Sequence, residues 1–241
     1  MALLFVAPIA AAHDPLGINL LERTIGPGGA YWLGTDAQGQ DVFSRVVHGG
    51  RSAAELCVPM VLLALIACIP MAVARIVLDG AGMPKLLHGV EGVLEGLISV
   101  PWLMLGILIQ VHVLGEWPLW AGLAVVLVPR ALRVGWALGA NERLQRDHLA
   151  LVALQAGTLL LAAALTAVVA LGFLGLVSGP PEADLGLMLR DYRLLVCVAP
   201  WTIISPGALV ALVTAAWLVV ATLFSQSDSE YRPAGCVHAL S

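Results

Sequence analysis

Glu91 and Glu95 stand four residues apart, and His88 stands three before Glu91. On a helix these positions share a face, so the three would form a polar stripe in an apolar stretch. Two carboxylates and an imidazole on one face can relay protons or hold a metal ion, and ionisable groups within a membrane mark such sites. The plainer reading is that they lie at the end of a helix and reach water. A metal site needs further ligands and a supporting hydrogen-bonded shell, and no metal spacing accompanies the stripe. Cys57, Cys68, Cys197 and Cys236 form no CxxC pair, and the first two sit in an apolar run where Cys acts as a small hydrophobe. His112 and Glu55 read as interfacial. No GxSxG, HExxH or P-loop pattern occurs. The chain is therefore expected to be no enzyme, to hold no cofactor or metal, and to bind no ATP through a Walker motif.

The elements that position these residues follow from composition. Of 241 residues, 60% are hydrophobic and only 12% charged, and the mean hydropathy is +0.93. Soluble domains carry roughly 25% charged residues, so an ordinary cytosolic enzyme, a disordered chain, a disulfide scaffold and a nucleic-acid binder are all excluded. The expected fold is all-α: a polytopic membrane protein with about six transmembrane helices, each needing about 20 apolar residues. Ala2–Ala12 reads as a truncated first membrane helix (1–12), with a signal peptide as the other reading. Residues 13–50, rich in Gly and turn-forming pairs, read as a small extracytoplasmic segment. Residues 51–225 form the membrane domain, with helices expected at about 53–76, 86–114, 119–132, 149–177 and 203–224. Pro59, Pro70 and Pro101 are expected to interrupt or kink them. Residues 226–241 form a polar tail. The run Ala162–Ala164, Ala167, Ala170, Gly172 and Gly175 reads as a close helix-packing face.

Orientation follows from Lys and Arg. Placing both termini in the cytoplasm puts Arg75, Lys85, Arg130, Arg133, Arg143, Arg146 and Arg232 inside, against Arg23, Arg45, Arg51, Arg190 and Arg193 outside. Trp117, Trp120 and Trp201 then fall at outer interfaces.

Two long stretches carry a resemblance. The first is Tyr31, Trp32, Leu33, Gly34, Thr35 and Asp36, followed by Gly39, Gln40, Asp41, Val42, Phe43, Ser44 and Arg45. The second is Phe173, Leu174, Gly175 and Leu176, then Pro180, Pro181, Gly186, Met188, Leu189, Arg193, Ala199, Pro200, Trp201, Pro206 and Gly207. In order and over nearly the whole chain, these resemble the permease subunits of dipeptide, oligopeptide and nickel ABC importers, most of all the second permease of the pair. The resemblance implies a bacterial-type inner-membrane protein that forms a translocation path with a sister permease. Two ATPase subunits would drive it and hydrolyse the ATP, and an extracytoplasmic binding protein would deliver solute. It implies that residues 13–50 form a scoop outside the membrane. The bland reading of the motif residues is architectural: Gly34, Gly39, Pro180 and Pro181 shape turns, and Asp36 and Asp41 cap helices or pair with Arg45.

The departures concern coupling. In the family, a cytoplasmic loop after the fourth span carries a helix that docks into the ATPase. Here Ala137, Leu138, Gly139 and Ala140, with Arg143 and His148, resemble only the later part of that loop. Gln40 replaces an Arg, and the tail lacks the family's pattern. The alternative reading is accordingly a permease-derived structural or accessory subunit of a larger membrane complex, with ATPase coupling and transport lost.

Overall fold

A computed structural model describes residues 13–100, 104, 107, 108, 119–139, 146–177 and 182–230. The expected first helix, most of the stretch 101–118, Ala140, Arg143, Pro180, Pro181 and residues 231–241 lie outside the described residues. Six α-helices order the described chain: α1 Val42–Gly80, α2 Pro84–Ser99, α3 Leu119–Gly139, α4 Arg146–Phe173, α5 Leu185–Tyr192 and α6 Pro200–Glu230. No strand occurs among the described residues beyond an isolated bridge between Thr35 and Asp41. Within α1, α4 and α6 lie stretches long and apolar enough to cross a membrane: Val42–Gly80, Leu154–Phe173 and Pro200–Leu223.

The longest helix, α1, has 39 residues, about 58 Å at 1.5 Å per residue. It starts at Val42, inside the segment expected to be extramembrane, because Asp41 caps it. The Asp41 carboxylate accepts from the backbone N–H of Phe43 (3.2 Å) and of Ser44 (3.3 Å) and from the Ser44 hydroxyl (2.6 Å). The helix passes through Pro59 and Pro70 without ending, since neighbouring helices can support the freed carbonyls. Its buried residues, among them Val42, Val46, Ala53, Cys57, Met60, Ala64 and Cys68, recur every three or four positions and form one face.

Pro101 acts otherwise. The helix expected over 86–114 is α2, which ends at Ser99, with Val100 extended at φ −67° and ψ 137°. A residue before proline is pushed out of the helical region by the ring. Among α2's residues only Leu94 is buried, so α2 lies at the edge of the bundle. The expected span 119–132 is longer as α3 and runs to Gly139. Its extension is held against α1, its most extensive neighbour.

That crossing is made by residues without bulk. A Cβ on Gly135 would run into the carbonyl of Cys68, and one on Gly139 would lie 2.5 Å from the carbonyl of Ala72. The Cys68 thiol donates to the carbonyl of Ala131 at 3.0 Å. Ala131, Gly135 and Gly139 on one helix thus meet Cys68 and Ala72 on the other, a small-xxx-small contact of the kind that brings membrane helices together.

Within the region expected as an outer loop, α5 forms because Asp184 caps it, accepting from the Leu187 N–H at 2.9 Å. It lies on α4, where Gly186 faces Gly172 so closely that a Cβ on either would collide with its neighbour. The core joins one face of α1 to Leu127 of α3, Leu160, Leu165 and Val168 of α4, and Leu185, Met188 and Tyr192 of α5.

Candidate functional site

The two motif stretches fold together at one end of the bundle. Thr35 is fully buried. Its hydroxyl donates to the Glu22 carbonyl at 2.6 Å and accepts from the Ile25 N–H at 2.8 Å. Gly34 sits at φ +74°, where a side chain strains the backbone. A Cβ there would also come within 2.5 Å of the Ile25 carbonyl and 2.6 Å of the Trp201 ring nitrogen. Trp201 donates that N–H to the Thr35 carbonyl at 3.3 Å, across 166 residues of sequence.

Asp36 is the hub. Its Oδ1 accepts from the backbone N–H groups of Gln38 (2.8 Å) and Gln40 (2.9 Å), closing the turn that Gly39 completes. Its Oδ2 accepts from the Tyr192 hydroxyl at 2.9 Å and lies 4.0 Å from Arg45 Nη1. Burial above all pushes the Tyr192 phenol well up from its ordinary range, and the Asp36 carboxylate adds to the shift. The hydroxyl therefore stays protonated and donates. Arg45, 6% exposed, also donates to Gln40 Oε1. Its Nε is buried without a partner among the described residues. Gln40 Nε2 donates to the Leu16 carbonyl at 3.1 Å.

The remaining motif residues take simpler places. Trp32 is exposed and packs its ring on Phe43 at 5.1 Å. Leu33 packs on the core, Ser44 and Met188 are buried, and Arg193 opens the 3-10 turn Arg193–Leu195. Phe173, Leu174, Gly175 and Leu176 end α4. Gly175 lies at φ +76°. Its N–H bonds the Gly172 carbonyl at 2.8 Å while the Leu176 N–H reaches back to Leu171 at 3.0 Å, the paired bonds of a Schellman cap. Pro200 opens α6, where proline's missing N–H costs nothing. Pro206 deprives the Thr202 carbonyl of its helical donor, and the Ser205 hydroxyl lies 3.5 Å from that oxygen. Gly207 lies beside Leu189 of α5.

A second polar group gathers where α1, α2 and α3 meet. Arg75 Nη1 bonds Glu91 Oε1 at 2.5 Å, and its Nε bonds Asp79 Oδ2 at 3.0 Å. The guanidinium lies over the Trp136 ring, 4.8 Å from its centroid. The Trp136 N–H reaches the same Glu91 oxygen at 3.2 Å. Glu95 faces Arg133 at 3.8 Å. The His88 ring Nδ1 is 2.7 Å from the carbonyl of Pro84 in its own helix. The stripe His88, Glu91, Glu95 is thus engaged residue by residue, each with a different partner. Among the described residues no group of three or more His, Cys, Asp or Glu is placed to hold a metal ion. Of the residues that resemble part of a coupling loop, Ala137, Leu138 and Gly139 form the last turn of α3, and His148 lies in the first turn of α4.

Sequence reasoning missed Tyr192, Arg75 and Trp136. Tyr192 had no signal of its own. Gly135 and Gly139, four apart in an apolar stretch, were the cue to the crossing that carries Trp136 up to Arg75.

No protein-family model matches the chain. It is 28% identical over 239 residues to the peptide transport system permease protein SapC of Salmonella typhimurium, covering 86% of this chain and 77% of that protein. It is 27% identical to the probable D,D-dipeptide transport system permease protein DdpC of Escherichia coli, covering 88% of this chain and 77% of the relative. The nickel transport system permease protein NikC of Escherichia coli is 25% identical over 81% of this chain and 77% of its own length. Through the sequence it shares with these proteins along most of its length, the chain resembles the permease subunits of peptide, dipeptide and nickel ABC importers.

Proposed function

We propose that the chain is a membrane permease-like subunit of an ABC importer for peptides, nickel or similar small solutes. It forms part of the translocation path with a sister permease, while ATPase subunits hydrolyse ATP and an extracytoplasmic binding protein delivers the solute. The observation that carries this reading is likeness to transport permeases along 86% of the chain. The way both motif stretches meet at Asp36–Tyr192 and Thr35–Trp201 supports it, since an architecture held by its motif residues is what such likeness preserves. In this reading the chain has about six spans, both termini are cytoplasmic, and residues 13–50 stand outside as a scoop. The motif residues there are architectural and touch no solute.

The test is gentle purification from native membranes, followed by reconstitution with whatever accompanies the chain. Recovery of ATPase subunits and ATP-dependent uptake of a labelled peptide or of Ni²⁺ is the expected result. A preparation that never brings an ATPase with it sinks the importer.

A specific observation favours a second reading. Ala137, Leu138 and Gly139 form the last turn of α3, and a Cβ on Gly139 would meet Ala72 and Arg75 of α1, so the described part of the stretch that resembles a coupling loop packs into the bundle. A helix that must reach an ATPase has to project from the bundle. Under this reading the chain is an accessory subunit of a larger membrane complex. Stoichiometric recovery with other membrane proteins, and no ATPase, would favour it.

A further inference from the structure

Arg130 lies inside α3, eleven residues past Leu119 and nine before Gly139. It opens on a cavity of about 670 Å³ between the end of α2 and helices α3, α4 and α6. Ala162, Ala163, Ala167 and Ala170 of α4 leave this space open. The small-residue run read from sequence as a packing face thus splits, since Ala164 is buried in the core and Gly172 packs on α5. On the described lining Arg130 is the one charged side chain. Thr166 and Thr214 also line it, but each hydroxyl donates to a carbonyl of its own helix, Ala162 at 2.9 Å and Val210 at 2.7 Å. They offer a ligand acceptors rather than donors. The neighbouring arginines are paired, Arg133 with Glu95 and Arg75 with Asp79 and Glu91, whereas Arg130 has no carboxylate partner among the described residues.

Leu159 and Leu218 line the same cavity, so its described walls are apolar around the one cation. Arg130 is itself exposed and has no carboxylate against it among the described residues, which leaves its guanidinium able to meet an anion at the cavity.

We propose that Arg130 and this cavity hold the carboxylate end of a small apolar solute, such as the C-terminus of a short peptide. The setting rests on the permease reading above. The guanidinium presents a fork that matches a carboxylate with two parallel N–H donors, and the alanine walls take the apolar body. The volume falls within the roughly 300–1,000 Å³ range of small-molecule pockets.

Calorimetry on the full chain in phosphatidylcholine nanodiscs tests this, with N-acetyl-leucyl-leucine and its C-terminal amide as probes. The acid is expected to bind about tenfold or more tightly than the amide, the usual scale of a charge-assisted hydrogen bond. Arg130→Gln brings the two within about twofold, Arg130→Lys keeps part of the preference, and Arg133→Gln keeps all of it. Helical circular dichroism checks that Arg130→Gln folds. If it does not, Ala163→Leu, which fills the cavity and leaves Arg130 in place, must abolish binding. Equal binding of acid and amide, binding of neither, or a preference that survives Arg130→Gln overturns the proposal. So does native mass spectrometry showing that Arg130 retains phosphatidylglycerol instead. The readout needs no ATPase. Recovery of ATPase subunits without an acid preference removes this inference alone, and an acid preference in a chain that never recovers an ATPase removes only the importer.

Discussion

Asp36 accepts from two backbone N–H groups and one phenol while facing a guanidinium, so removing any one donor leaves a buried carboxylate under-satisfied. Tyr192→Phe should lower stability by about 1–3 kcal/mol, read as a drop in the thermal midpoint of the detergent-solubilised chain. The pH dependence has a definite sign. The folded phenol is raised from an ordinary value of 10.0, so its contribution is fully present below about pH 10 and is lost as pH rises through the higher folded value. The gap between wild type and Tyr192→Phe should hold across neutral pH and shrink only above about pH 10. Gln40 makes the complementary case. It is fully buried and gives Arg45 an acceptor, where the resembled pattern has Arg. Gln40→Arg restores that residue and sets two cations together in a buried site. It should cost about 3 kcal/mol, and a melting point equal to wild type would contradict this. Asp41 and Asp36 were legible as capping or pairing residues because their spacing from Arg45 is local. Tyr192 was not, because nothing in the sequence near it says that a carboxylate 156 residues earlier will be its acceptor.

Among the elements, the crossing of α1 and α3 is the most exacting contact, since Gly135 and Gly139 leave no room for a side chain. Gly135→Leu should push α3 off α1 at a cost of about 1–3 kcal/mol or more. It should also separate Trp136 from Arg75, visible as a shift in tryptophan emission; unchanged emission and melting would argue against the contact. Proline explains much of what sequence reading got right and wrong about elements. Pro101 lies just past the end of α2, whereas Pro59 and Pro70 are carried inside α1. The residue types are the same, and the difference lies in neighbours. Pro59 and Pro70 belong to a helix that α3 and α4 flank, while α2 has little beside it to support a break. Apolar runs located the starts of α4 and α6 to within three residues, while α4 ends four residues short of its expected end and α6 runs six past its own. The short α5 escaped notice although Leu185, Met188, Leu189 and Tyr192 stand at i, i+3, i+4 and i+7 behind the cap Asp184, because eight residues in a polar, Pro-bounded stretch read first as loop.

For the whole molecule, the native cysteines supply a test of orientation. Cys197 is exposed between α5 and α6, while Cys57 and Cys68 are buried. A membrane-impermeant maleimide applied to intact spheroplasts of a Cys236→Ser variant should label Cys197 if that face lies outside. Labelling that appears only after permeabilisation would reverse the proposed orientation. Composition alone located the chain in a membrane, because 12% charged residues cannot clothe a soluble surface of this size. The meeting of the two motif ends was not legible, since periodicity within a helix carries no record of which distant loop it will face. That meeting also bears on the order of events as the chain is made. The bonds from Asp36 to Tyr192 and from Thr35 to Trp201 span 156 and 166 residues. At a synthesis rate of about 5–20 residues per second, the segment holding Asp36 waits roughly 8–30 s for its partners to emerge. Through that interval α1 is present and capped, yet the outer segment has nothing to fasten to. Its assembly is therefore a late event, and a nascent chain stalled before α5 should leave that segment open to added protease even after α1 has entered the bilayer.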